Sequence, residues 1–285
     1  MNSRYIRTIS HPTQNPRSCQ TYTTYFFSKS IFTVVTATPA VARQWVYNLR
    51  NNHRDLLTNA KLVVGLGVQW TPPTRRNPNP PTAATIQLSV GRNCLIFQLS
   101  HANSVPLTLY RLLKDKRVTF VGVHNGMDKS RLQESWAELA VWDLVDLGKK
   151  EGYGNRSMEG ICSDVLGLHG VSKPREVGFS NWDMLYLSID QVQYACLDAH
   201  VSYLLGVEFG YPKFYDEDEE DYDDGGEYGV DYCDHGDFGC GYGGDYGGDY
   251  DDGDFGRVYV DDGDLDYEDY TNPYHYNSDW NYVGY

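Results

Sequence analysis

The chain of 285 residues lacks the sulfur spacing of a metal or disulfide scaffold. Its six cysteines, Cys19, Cys94, Cys162, Cys196, Cys233 and Cys240, form no Cys-x-x-Cys pair and stand near no paired histidines. That argues against a zinc site or a disulfide framework and fits a reducing compartment, nucleus or cytoplasm. No apolar run approaches the roughly 18 residues needed to span a bilayer, and none near Met1 reads as a signal peptide. No membrane partner is expected. Acid is missing from residues 1–54, and residues 1–30 are rich in Ser, Thr and Arg. Organellar transit peptides share this composition with disordered basic leaders; we read residues 1–28 as a leader.

Base is nearly absent from the other end. Residues 211–285 carry 24 acidic side chains against Lys213 and Arg257, a net of −22, which leaves 15 acidic and 22 basic residues and a net of +7 in residues 1–210. A basic body is thus joined to a very acidic tail, and basic bodies favour polyanions. The tail repeats Gly, Asp and Tyr and holds few aliphatics. It cannot bury enough apolar surface to offset roughly 1–2 kcal/mol of backbone entropy per residue, so residues 211–285 read as disordered. Their 15 tyrosines make them adhesive. Such a tail can compete electrostatically for the surface a nucleic acid would use.

Between these ends lies a patterned body, residues 29–206. Residues 30–36 are rich in β-branched side chains and read as a strand. Thr38 and Pro39 open a helix to about Arg54, with Val41, Trp45, Val46 and Leu49 at helical spacing. Residues 62–70 form the near-continuous apolar run of a central strand. A Pro-rich loop over 71–82 carries Arg75 and Arg76. Residues 84–90 and 94–99 are strands joined across Gly91. Helices follow at 105–113 and 128–139, strands at 117–123 and 141–147, and a helix at 157–166 with Gly167 near its end. Ser188 and Gln191 form a capping box opening a last helix to about Gly206. The order predicts a mixed sheet of five to six strands with helices on its faces.

Three segments carry candidate chemistry. The central strand is Leu62-Val-Val-Gly-Leu-Gly-Val-Gln-Trp70; alternate positions Gly67 and Gln69 share one face. The strand at 117–123 runs through Phe120-Val-Gly-Val-His-Asn-Gly-Met into Asp128. On the last helix Tyr194 and Asp198 stand four apart, stacked on one face. Taken singly, Asp128 reads as a helix-capping acid, and Tyr194 and Asp198 as packing or surface residues. In this order, together with Thr33-Val-Val-Thr36, the segment from Leu88 to Gln98 and Phe179-Ser-Asn-Trp182, they resemble the plant Werner syndrome-like 3′–5′ exonucleases. These belong to the group that ends in a Tyr-x-x-x-Asp signature, the DEDDy group. The resemblance spans about residues 29–206 and implies a ribonuclease H-like α/β fold.

It also implies two divalent cations, Mg2+ or Mn2+. Two-metal hydrolysis of a phosphodiester needs carboxylates converging on ions about 3.5–4 Å apart. By the resemblance, Asp128 and Asp198 bind metal and Tyr194 positions the attacking water. Gly67 and Gln69 stand where the family has Asp and Glu; the first of these bridges both ions. Glycine offers no ligand and glutamine only a neutral amide, whereas magnesium prefers charged oxygens in strict geometry. The expected function is a catalytically impaired exonuclease domain that binds nucleic acid, DNA or RNA, at single-stranded 3′ ends, with Arg75, Arg76, Lys173 and Arg175 as contacts. Two alternatives stay open. One is an active metal-dependent exonuclease whose missing carboxylates arrive from elsewhere, and the other a scaffold for a protein partner such as an active homologue.

Overall fold

The computed structural model describes residues 5–212, apart from 76, 77, 79, 137 and 138. The acidic-tail reading therefore lies outside the described residues from 213 onward, as does Arg76. Eight strands form one sheet: β1 (Ile6–His11), β2 (Gln20–Phe26), β3 (Lys29–Thr36), β4 (Leu62–Gln69), β5 (Thr85–Val90), β6 (Asn93–Gln98), β7 (Val118–Gly122) and β8 (Leu144–Asp146). Their spatial order is β1-β2-β3-β6-β5-β4-β7-β8. The antiparallel meander β4-β5-β6 turns at Gly91, whose φ of 55° suits glycine. β7 and β8 then add in parallel beside β4. Three antiparallel strands followed by two parallel ones make the ribonuclease H-like core.

The helices are α1 (Pro39–Asn52), α2 (Arg54–Thr58), α3 (Leu107–Leu113), α4 (Asp128–Ser135), α5 (Leu147–Lys150), α6 (Met158–Leu166), α7 (Arg175–Gly178) and α8 (Ile189–Glu208). They cover both sheet faces, which is why β4 is buried along its whole length. Leu62, Val64 and Leu66 pack with Trp45, Leu49, Leu109 and Phe120 from α1, α3 and β7. On the opposite face Val63 and Val121 pack with Ile161, Leu197 and Val201 from α6 and α8. Among the described residues no helix is long and apolar enough to cross a membrane.

The leader expected at residues 1–28 is corrected by the structure, and with it the count of five to six strands. Residues 6–11 and 20–26 are β1 and β2, paired antiparallel and continuing the sheet beyond β3. The Ser/Thr richness that reads as solvated chain is β-branched threonine on a pleated surface. Ile6, Thr8, Tyr22, Thr24 and Phe26 are buried. Thr8 and Thr24 hydroxyls hydrogen-bond at 3.0 Å, and Thr8 also donates to Gln193 on α8 at 3.2 Å.

Candidate active site

Side-chain alternation along β4 builds the site. Val63, Gly65, Gly67 and Gln69 point to one face, against α8. Gly65 admits the helix: a Cβ there would lie 1.9 Å from the carbonyl oxygen of Ala199. That close approach sets Asp198 opposite the next two positions of the strand. A Cβ on Gly67 would meet Asp198 Oδ2 at 3.0 Å, and the Gln69 amide Nε2 donates to the same oxygen at 2.8 Å.

The start of α8 is fixed by its capping box, in which the Ser188 hydroxyl accepts from the Gln191 backbone N–H and the Gln191 side chain accepts from that of Ser188. Gln191 Nε2 also donates to Ser180 Oγ and the Asn181 carbonyl, at 2.9 and 2.8 Å. This ties the preceding loop, with α7, to the helix. The same stretch delivers Lys173, whose ammonium donates to Asp198 Oδ1 at 2.5 Å and lies 4.7 Å from the Tyr194 ring centroid. Tyr194 is half-buried and tilted against Trp182, with ring centroids 5.8 Å apart.

Asp128 is the first residue of α4, and its carboxylate does not serve as the helix cap. The loop that aims it is held by His124 and Asn125. His124 takes a left-handed φ of 57° and its Nε2 meets the Arg156 carbonyl at 2.6 Å; Asn125 donates to the Val145 carbonyl at 3.0 Å. Burial, with the charge of Asp198 adding to it, pushes the Asp128 carboxyl up to about 8, against the opposing pull of Lys173 and a hydrogen bond from the Val68 backbone. Burial also raises Tyr194. Burial would lower Lys173, but the neighbouring Asp198, Tyr194 and Asp128 outweigh it and the ammonium is held above its usual range.

These residues line one cleft of about 690 Å3, with Trp70, Met127, Met158 and Phe179 supplying apolar walls and Arg131 and Arg175 standing in its lining. The structure thus brings together Gln69, Asp128, Lys173, Arg175, Tyr194 and Asp198, with Gly67 beside Asp198. Arg75 is exposed in the Pro-rich loop and does not line the cleft. Gln87 is a neighbour that sequence reasoning missed. It pairs across the ladder with Gly67, is fully buried, and places Oε1 2.9 Å from where a Gly67 Cβ would sit. Its Nε2 donates to Thr85 Oγ1, while Oε1 has no hydrogen-bond partner among the described residues. The signal was present as Thr85, Gln87 and Ser89, three buried polar residues alternating on one face of β5.

A pair of divalent cations does not fit this donor set. Gly67 brings no oxygen, Gln69 turns an N–H donor toward the centre, and both oxygens of Asp198 already accept hydrogen bonds from Gln69 and Lys173. Among the described residues no group of three or more His, Cys, Asp or Glu side chains could hold a metal ion.

No protein-family model matches the chain. It is 29% identical over 153 residues to a 3′–5′ exonuclease of Arabidopsis thaliana, which covers 50% of this chain and 50% of that protein. It is 30% identical over 156 residues to the bifunctional 3′–5′ exonuclease/ATP-dependent helicase WRN of Mus musculus, across 52% of this chain and 11% of that one. The match to the Arabidopsis protein spans only about half of that protein's length. Among solved structures, the EXD2 exonuclease domain soaked in Mn and Mg aligns at 23% identity and a TM-score of 0.35, over 62% of this chain and 88% of that domain. With the sequence likeness and the strand order agreeing, the described residues form a 3′–5′ exonuclease-family domain of ribonuclease H-like fold.

Proposed function

We propose that this domain holds nucleic-acid 3′ ends in the cleft and does not hydrolyse them. The observation that carries the reading is the state of Asp198, whose two oxygens bond to Gln69 and Lys173 while Gly67 contributes nothing. Losing only the outer support of a metal ligand commonly costs roughly 10–100-fold in metal affinity or activity. Here a bridging ligand and a terminal one are both replaced. What the cleft keeps is a means of binding a nucleotide: apolar walls for a base, and the cations Arg131 and Arg175 for phosphate. The spacing of Tyr194 and Asp198 on α8 supports descent from the tyrosine-type, DEDDy, exonucleases, with Mg2+ or Mn2+ as the ancestral cofactor.

A 3′-labelled single strand, as DNA and as RNA, tests this with Mg2+ or Mn2+ present. The natural chain is expected to bind it and leave its end intact. Digestion by the natural chain that Asp198→Ala abolishes would establish an active enzyme instead. Neither binding nor digestion would move the function to a protein partner.

A further inference from the structure

We infer that Lys173 is the resident cation of the cleft: its ammonium, with the Gln69 amide, holds Asp198 where a divalent ion otherwise would, so the site is organised without metal. The inference concerns the cleft of the proposed function but rests on its donor geometry, not on the absence of hydrolysis.

The argument starts from the carboxylate. A buried Asp needs its charge compensated and both its oxygens bonded. In a metal-built site the cation does this, and neighbouring carboxylates are attracted to the same ion. Around Asp198 both duties are already met, by a 2.5 Å bond from Lys173 to Oδ1 and a 2.8 Å bond from Gln69 to Oδ2. The identity of residue 69 follows from that arrangement. A glutamate in the same rotamer would set a carboxylate oxygen 2.8 Å from Asp198 Oδ2, tolerable only with a cation or proton between them. Glutamine supplies an N–H at that point. Gly67 fits the same logic, because Gln87 fills the space beside it and a further carboxylate there would set a second negative charge beside Asp198, whose own charge Lys173 already balances.

An internal ion pair of this kind often has only a structural role. Two features set this one apart: both donors converge on the carboxylate of the Tyr-x-x-x-Asp signature, and Lys173 lies over the ring of Tyr194 of the same signature. A divalent ion approaching Asp198 would have to displace one of two charge-assisted bonds and sit beside an ammonium.

The test compares thermal unfolding of the full natural chain, Asp198→Asn, Lys173→Met and Lys173→Met/Asp198→Asn, each in EDTA and in millimolar Mn2+. Any Mn2+ taken up by the acidic tail contributes equally to all four. The natural chain and Asp198→Asn are expected to show the same Mn2+ response. Lys173→Met is expected to gain a rise in Tm on adding Mn2+, reflecting at least tenfold tighter binding than in the natural chain, and the second substitution should remove it. A Mn2+-induced rise in the natural chain that Asp198→Asn abolishes overturns the inference, and this comparison stands even if Lys173→Met does not fold. Oligonucleotide affinity of the natural chain should agree within twofold between EDTA and Mn2+; a tenfold gain in Mn2+ also overturns it. Loss of oligonucleotide binding in every condition would refute the proposed function while leaving the unfolding comparison to judge Lys173.

Discussion

At the scale of single residues, one atom at position 69 separates a hydrogen-bond donor from a second anion. Gln69→Glu would replace the N–H facing Asp198 with an oxygen at about the same place. A hydrogen bond to a charged group contributes roughly 1.5–3 kcal/mol, and repulsion adds to its loss. The variant should be destabilised by about 2 kcal/mol at neutral pH, a fall of roughly 4–8 °C in Tm for a body of this size. The sign with pH follows. Crowding by Asp198 raises the folded-state pKa of the introduced carboxyl above its unfolded value, so the penalty is present at high pH and shrinks as acid protonates one member of the pair. Thermal melts of natural and variant chains at pH 7.5 and pH 5 check this; a deficit that widens at pH 5 would contradict it. Much at this scale was legible in the sequence. The β4 segment, Asp128, Tyr194 and Asp198 stand out only together, through their resemblance to the exonuclease motifs, and they meet in the cleft. Gln87 and the pairing of Lys173 were not legible. The first depends on register across the sheet, Gly67 opposite Gln87, and the second on how a loop folds back over α8.

At the scale of elements, the site exists because α8 lies directly against β4, and Gly65 is the condition for that. Gly65→Ala would drive a methyl into the α8 backbone, 1.9 Å from the Ala199 carbonyl oxygen and 2.7 Å from Tyr203 N. Backbone cannot step aside as a side-chain end can, so overpacking here should cost about 3 kcal/mol or more and displace the turn carrying Asp198. Gly67→Ala is the control. Its methyl would meet the ends of the Gln87 and Asp198 side chains, which can turn, and should cost about 1 kcal/mol or less. Urea unfolding of both variants checks the contrast, and equal losses would mean that the helix does not bear on Gly65. The elements show where sequence reasoning succeeds. The Ser188 capping box and the left-handed Gly167 ending α6 stand where the sequence puts them, because caps are local chemistry. β1 and β2 escaped because a threonine-rich strand and a solvated leader share a composition. They differ only in what they pack against, here His200 and Gln193 on α8.

At the scale of the whole molecule, that added hairpin closes the body over a titratable group. His200 on α8 is buried beneath β2, edge-on to Phe26 at 5.7 Å between ring centroids, with Nδ1 3.2 Å from the Ser89 hydroxyl and Nε2 lacking a hydrogen-bond partner among the described residues. Burial, aided by the charge of Lys29, pulls its pKa down to about 3 from an ordinary 6.5. The folded state therefore requires the neutral ring. Above pH 6.5 neither state takes the proton and the group is indifferent to pH. Below it the unfolded chain protonates while the folded one does not, so stability is lost as pH falls from 6.5 toward 3. At pH 5 the loss is about 1.5 pKa units, or about 2 kcal/mol. Asp128 acts in the opposite sense, since its raised pKa makes the folded state favour the proton, and the pH dependence of the natural chain alone would blend the two. A difference measurement separates them. His200→Gln keeps a polar side chain within reach of Ser89 and cannot titrate, while Asp128 is common to both chains. The stability advantage of the natural chain over His200→Gln should shrink by about 2 kcal/mol between pH 7.5 and pH 5. A gap that stays constant across that range would show that His200 meets solvent before the body unfolds, and that β1 and β2 open independently of the sheet they extend.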